Sequence, residues 1–174
     1  VSASVEFLRQ LRALADANGV LLIADEVQSG MGRSGPLFAF EAAEITPDLC
    51  ATAKGIGNGF PLAACLATER VGQCMTPGSH GSTYGANPLA MAVGKAVLDV
   101  ILADGFLASA QEKGAYYYQE LQGLAKKFPD KITQVRGRGL MLGLQINGDH
   151  YALADRLREG GLLTAPCAGD AVIR

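Results

Sequence analysis

Val20-Leu21-Leu22-Ile23-Ala24-Asp25-Glu26-Val27-Gln28 decides the fold once it is set beside Leu49-Cys50-Ala51-Thr52-Ala53-Lys54. Each stretch is an apolar run that stops at one ionisable residue, Asp25 in the first and Lys54 in the second. Val20–Ala24 does not alternate polar with apolar, so it reads as a strand buried on both faces. The interval to the second run exceeds the roughly one dozen residues that a parallel crossover needs. Two parallel strands deliver the residues at their C-terminal ends to one sheet edge, which is where open α/β sheets bind ligands. A lysine amine and a carboxylate at one rim suit pyridoxal phosphate chemistry, the lysine as covalent anchor and the acid as partner of the pyridine nitrogen.

The pattern continues outward from these two runs. Gly55-Ile56-Gly57-Asn58-Gly59-Phe60-Pro61 is a tight turn, and Leu62–Thr68 reads as a third strand. So short a connection makes that strand antiparallel to the second. Before the first run, Ser4–Ala17 has helical apolar spacing, a serine cap and a stop at Gly19. Asp25–Gly35 reads as a loop and Pro36–Ala43 as a short helix. Asn87 and Pro88 cap and start a helix to about Ala103. Phe106–Phe128 is a second helix, bounded by Gly105 and Pro129. Strands are expected at Ile132–Val135, Leu140–Ile146, Leu162–Ala165 and Ala171–Ile173, with a helix at Asp149–Arg158. Strands followed by helices in this tail suggest a smaller α+β unit.

The bulk composition excludes several classes. Apolar residues make up 49% of the 174 and charged residues 18%, which suits a packed core rather than disorder. A net charge of −2 without a basic cluster offers no field for nucleic acid and no polybasic stretch for a membrane surface. No apolar run reaches the ~18 residues of a membrane span, and the first residues lack the pattern of a signal peptide. Val1 and Arg174 both read as positions inside a longer chain. Cys50, Cys65, Cys74 and Cys167 have neither pairing nor metal spacing and read as reduced thiols of a cytoplasmic protein. Cys50 and Cys65 lie in apolar runs, where filling the core is their expected role. Two histidines, His80 and His150, cannot build a histidine-rich metal site, so no metal is expected.

The motifs divide into absorbed and rejected ones. Gly30-Met31-Gly32-Arg33-Ser34-Gly35 spells G-x-G-x-x-G, but five residues separate it from the strand end and Pro36 stands where a helix should run. A turn with glycines at positive φ is preferred to a dinucleotide site. A lone lysine is usually a solvated charge. Lys54, between an apolar run and glycines, is instead expected to be buried, which favours the neutral amine that imine chemistry needs. A lone aspartate after a strand is usually a turn residue, and pairing with Lys54 raises Asp25 above that. Ser79-His80-Gly81-Ser82-Thr83-Tyr84-Gly85 is either a plain loop before a helix or a phosphate site, since hydroxyls and free N–H groups suit a dianion.

Three stretches, in order and spacing, carry a family resemblance. They are Leu22 to Gly35, then Ala53-Lys54-Gly55-Ile56-Gly57-Asn58-Gly59-Phe60-Pro61-Leu62, then His80-Gly81-Ser82-Thr83-Tyr84-Gly85-Ala86-Asn87-Pro88-Leu89. Together with Val135 to Gly143 they resemble the class III pyridoxal phosphate aminotransferases over essentially the whole chain. The likeness is greatest to members that act on N-acetylornithine in arginine biosynthesis. The resemblance implies an α/β chain of fold type I, with residues 1–104 forming part of a large-domain mixed sheet with helices and residues 105–174 a truncated α+β small domain. It implies that Lys54 is the Schiff-base lysine and Asp25 the pyridine-nitrogen partner. Val27 would pack on the ring, Gln28 would lie near its phenolic oxygen, and Ser82 and Thr83 would serve the phosphate, Thr83 across a homodimer interface. Arg174 would hold the substrate α-carboxylate. The implied reaction moves an amino group from N-acetylornithine, or a similar ω-amino acid such as ornithine or succinylornithine, to 2-oxoglutarate.

Two departures stand beside this. The family is more than twice as long, and the half that brings its other phosphate loop and its ring-stacking aromatic has no counterpart here. Ala86 stands where the family usually has glycine. Two alternatives remain open. One is a non-catalytic truncated chain. The other is a related ω-amino acid transaminase or aminomutase, although those usually differ from Gln28.

Overall fold

The computed structural model describes residues 2–174. Its chain divides into two compact units, Ala3–Ser109 and Ala110–Arg174 with Ser2.

The first unit begins with helix α1, Val5–Ala17. Ser4 caps it, its Oγ accepting the Phe7 N–H at 3.1 Å. Gly19, at φ +65°, turns the chain away after the helix. Strand β1, Ile23–Asp25, pairs in parallel with β2, Leu49–Thr52. Strand β3, Ala64–Ala67, pairs antiparallel with β2, so the order is β1-β2-β3. The parallel register joins Ile23 to Leu49 and Asp25 to Ala51. The crossover between β1 and β2 holds a succession of turns and a 3₁₀ helix at Ala39–Ala43, in place of the predicted short helix at Pro36–Ala43. Helix α2, Glu69–Gly72, follows β3. Helix α3, Pro88–Ile101, has Asn87 as N-cap accepting from Ala90 N–H and proline in its first turn.

The predicted burial of Val20–Ala24 on both faces does not hold. The strand starts at Ile23, and Val20, Leu21 and Ile23 are all exposed. The reason is topological: β1 is an edge of this three-stranded sheet and no described element covers its outer side. Cys65 is exposed too, whereas Cys50 is buried in the core position expected of it.

One buried carboxylate knots the unit together at the end of the sheet opposite Asp25. Asp48, just before β2, accepts from Arg12 of α1 at 2.8 Å, from Arg70 of α2 at 2.6 Å and from the Leu22 backbone N–H at 2.8 Å. The Leu22 N–H and the Arg12 guanidinium together pull Asp48 down to about 2, against the opposing effect of burial. The same contact, with Asp16, raises Arg12 above its ordinary value.

Helix α4, Phe106–Lys127, contains the boundary between the two units. In the second unit β4, Ile132–Arg138, pairs antiparallel with β5, Met141–Ile146, and β5 with β6, Val172–Ile173. Helix α5, His150–Glu159, is capped by Asp149, whose carboxylate accepts from Tyr151 and Ala152 N–H. The core is Val135, Leu142, Ala154, Val172 and Ile173. The β4–β5 turn lies against α4: a methyl group on Gly114 would stand 2.6 Å from the carbonyl carbon of Gly139. The strand predicted at Leu162–Ala165 is absent. Pairing with the β6 segment is confined to Ala165 and the two residues after it: Ala165 exchanges both backbone bonds with Arg174, Pro166 bridges Ile173, and Cys167 N–H donates to Val172 O.

Candidate active site

The parallel pair sets the site. Asp25 is the last residue of β1, and Lys54 follows the last residue of β2 by two positions. Adjacent strands stand about 4.8 Å apart, so both side chains leave the sheet at one rim. Asp25 Oδ1 accepts the Val27 N–H at 3.1 Å, a tie that fixes the side chain in a local turn. Among the described residues Lys54 makes no ion pair, so this acid and this amine do not neutralise one another.

Lys54 itself adopts φ +49°, in the left-handed region that residues with a Cβ seldom enter. It opens a 3₁₀ turn, Lys54–Ile56. Two glycines make the conformation possible. A methyl group on Gly55 would lie 2.8 Å from Met31 Cβ, and one on Gly57 would lie 2.1 Å from the Phe60 carbonyl oxygen. The turn therefore closes on itself at Gly57 and packs at Gly55 against buried Met31. Met31 belongs to the loop that follows Asp25. The two loops that carry the ionisable pair are thus packed directly on each other.

The amine is not buried as its flanking residues suggested. Lys54 is exposed, as is Asp25, because no described element of this chain covers the rim.

Glu26 was not singled out from the sequence. It is 4% exposed. Its backbone N–H extends the parallel ladder to Ala51 O at 2.8 Å. Its carboxylate accepts the Ser29 hydroxyl at 2.5 Å and the Phe40 N–H at 3.1 Å. Strand alternation was the available signal: if Asp25 faces the rim, Glu26 must face inward. Burial first, then the charges of Glu26, Cys65 and Asp25, pushes the neighbouring Cys50 thiol up.

Val27 is half-buried and Gln28 exposed in the turn after Glu26, on the same rim as Lys54. Ser82 and Thr83 lie apart from these, in the exposed segment before α3. There the Ser82 Oγ accepts the Gly85 N–H at 2.9 Å, and the Asn87 amide donates to Tyr84 O at 2.9 Å. Ala86 has φ +53°, which explains why glycine is the usual residue at this place. Arg174 belongs to the second unit, where its backbone N–H donates to Ala165 O at 3.0 Å and its carbonyl accepts from Ala165 N–H at 2.8 Å. The structure thus brings together Asp25, Val27, Gln28 and Lys54, and leaves Ser82 and Thr83 in a separate loop. The glycine-rich segment 30–35 forms turns with Gly32 and Gly35 at positive φ and leads into no α-helix, as the preferred reading had it. Among the described residues no cluster could hold a metal ion, and no helix is long and apolar enough to cross a membrane.

The geometry has counterparts among known proteins. The family model for class-III aminotransferases matches residues 1–174. The acetylornithine aminotransferase of Brucella melitensis is 51% identical over 97% of this chain and 42% of its own length. That of Mesorhizobium japonicum is 53% identical over 96% of this chain and 42% of its own length. Among solved structures, the acetylornithine aminotransferase of Elizabethkingia anophelis superposes with a TM-score of 0.90 at 38% identity, covering 98% of this chain and 44% of that one. Ornithine delta-aminotransferase from Plasmodium falciparum superposes with a TM-score of 0.91 at 31% identity, covering 100% of this chain and 46% of that one. The chain spans about two-fifths of the length of the curated relatives it matches.

Proposed function

The chain belongs to the class-III aminotransferase family, and from that premise we propose that it forms the lysine-bearing part of a pyridoxal phosphate-dependent transaminase acting on N-acetylornithine or a similar ω-amino acid, with 2-oxoglutarate as acceptor. The observation that carries this is the parallel pairing of β1 and β2, which sends Asp25 and Lys54 to one rim. The names of its relatives, at about half identity, support the donor. In this reading residues 1–104 are part of the cofactor-binding domain and residues 105–174 part of the small domain, and the protein works as a cytoplasmic homodimer.

The donor set fits the cofactor. An unpaired primary amine, a carboxylate fixed by one backbone N–H, and a half-buried valine suit an aldehyde, a pyridine nitrogen and a ring face respectively. The bound group would supply the electron sink that a deprotonated substrate carbon requires. Lys54 anchors it covalently and, once released, carries the proton to and from the substrate carbon. Asp25, oriented by the Val27 N–H, would keep a proton on the ring nitrogen. Val27 would pack on the ring, and Gln28 would lie near its phenolic oxygen. Ser82 and Thr83 give hydroxyls to a phosphate, Thr83 to that of the neighbouring subunit. Arg174 offers a planar fork to the substrate α-carboxylate.

The test is borohydride reduction of the complete, cofactor-loaded protein followed by peptide mapping, with a parallel assay on N-acetylornithine and 2-oxoglutarate. The cofactor should be found on Lys54 alone, with turnover in the untreated sample. Label on another lysine would overturn the site, and labelled Lys54 without turnover would overturn the donor.

A further inference from the structure

We propose that Glu26 is a positioning residue: its buried carboxylate sets the place of Val27 and Gln28 relative to the rim, and so tunes the contact of Gln28 with the cofactor's phenolic oxygen. This rests on the role of Gln28 given above.

Three observations carry it. First, Glu26 stands between Asp25 and the Val27–Gln28 turn, and its own N–H is the last rung of the parallel ladder, to Ala51 O at 2.8 Å. The backbone leaves the sheet here and nowhere else in this strand. Second, both carboxylate oxygens are used, each on a different segment. Oε2 accepts from Ser29, immediately after Gln28, and Oε1 accepts from the Phe40 N–H, fourteen positions away at the far side of the loop. Val27 and Gln28 are thereby bracketed between a ladder bond and a side-chain bond of the same residue. Third, the bracket is reinforced on its outer side. Gly30 N–H donates to Glu26 O at 3.0 Å, a methyl group on Gly30 would lie 2.8 Å from that oxygen, and the Ser34 hydroxyl donates to Ser29 O at 2.7 Å. A buried carboxylate is costly unless its oxygens are occupied, so both contacts hold together. Losing the carboxylate frees Ser29 and Phe40 at once, and the turn loses a side-chain tether to the Phe38–Phe40 segment.

Chemistry distinguishes the useful variants. Glutamine keeps both bonds, its amide oxygen accepting from Phe40 N–H while its NH₂ donates to a Ser29 hydroxyl that has rotated to accept. Alanine keeps neither. Ser29→Ala removes one contact and leaves the fold's other ties intact.

The experiment uses the complete cofactor-loaded protein and three readouts: the midpoint of the bound cofactor's absorbance against pH, kcat with N-acetylornithine, and hydrogen exchange at the Phe40 amide in the cofactor-free form. Gln28→Ala calibrates the first. In Glu26→Ala the midpoint should move in the direction seen for Gln28→Ala by about half a unit. In the same variant kcat should fall about ten-fold, and exchange at Phe40 should quicken. Ser29→Ala should move the midpoint the same way by less, and Glu26→Gln should stay near the parent in all three. If Glu26→Ala does not fold, Ser29→Ala and Glu26→Gln decide. A Gln28→Ala shift with no shift in Glu26→Ala or Ser29→Ala overturns the positioning role and leaves Glu26 a stability residue. No shift in Gln28→Ala overturns the reading of Gln28 itself, and this inference with it.

Discussion

Thr52 and Lys54 stand two positions apart at the end of β2 and present opposite strains. Thr52 is fully buried, and its hydroxyl has no hydrogen-bond partner among the described residues. A buried hydroxyl left unmade costs more than an absent one, so Thr52→Val, which keeps the β-branch, should raise stability by about 1 kcal/mol, read from a denaturant midpoint. Ala86, at φ +53°, carries a backbone penalty of the same order. Ala86→Gly should recover about 1 kcal/mol by the same measurement. Asp25 is the residue where chemistry and structure part. As the partner of a ring nitrogen, Asp25→Asn should leave the cofactor bound while turnover falls about a hundred-fold or more. A turn aspartate would instead lose stability and keep its rate. At this scale the placement of Asp25 and Lys54 at one rim was legible, because each follows an apolar run and the two runs are far enough apart for a parallel crossover. Exposure of Lys54 was not legible, because flanking residues report the sheet and not what lies above its rim. Glu26 was legible only through strand alternation, and the short β1 gives that pattern little length.

Among the elements, β2 is held at its entry end by charge and at its exit end by glycines. The Asp48 knot makes the entry pH-sensitive in a definite direction. Its carboxyl is drawn down to about 2 in the folded protein from 3.8, so the folded state binds the proton more weakly than the unfolded one. The stabilisation is complete above the ordinary value and is lost as pH falls from there through about 2. Asp48→Asn should therefore flatten the acid limb of stability against pH and leave the slope near neutrality unchanged, as followed by urea unfolding at a series of pH values. At the other end of the chain, the approach of α4 to Gly139 predicts that Gly114→Ala costs about 1–3 kcal/mol, again by denaturant midpoint. Helices α1, α3 and α5 could be read from their caps, since Ser4, Asn87 and Asp149 each precede helical spacing. The strands were harder. Leu162–Ala165 has strand composition, yet Leu162 N–H is taken by Leu157 O at the end of α5, and only Ala165 reaches the β6 segment, through its two bonds with Arg174. The Val20–Ala24 run is apolar, yet Val20, Leu21 and Ile23 are exposed, because apolar composition alone does not say which faces of a strand are covered.

For the molecule as a whole, the placement of Ser82 and Thr83 in an exposed segment of their own before α3 bears on assembly. If Thr83 serves a neighbouring subunit's phosphate, mixed dimers of Lys54→Ala and Thr83→Ala subunits contain one whole site. Activity should then return on mixing, to about half the parent value per mixed dimer under the symmetric arrangement. Mixed dimers that form without any rescue would assign Thr83 elsewhere. The pairing pattern also orders events in time. The β4–β5 ladder closes from Arg138 with Met141 and needs almost no loop, whereas β1 must find β2 across the whole crossover, joining Ile23 to Leu49. Long-range pairings pay loop-closure entropy before they gain contacts. In refolding of the whole chain from denaturant, the rim that holds Asp25 and Lys54 should therefore form after the hairpin. Until β1 and β2 pair, nothing holds Asp25 and Lys54 at one rim, and an aldehyde met in that interval would find a lysine like any other.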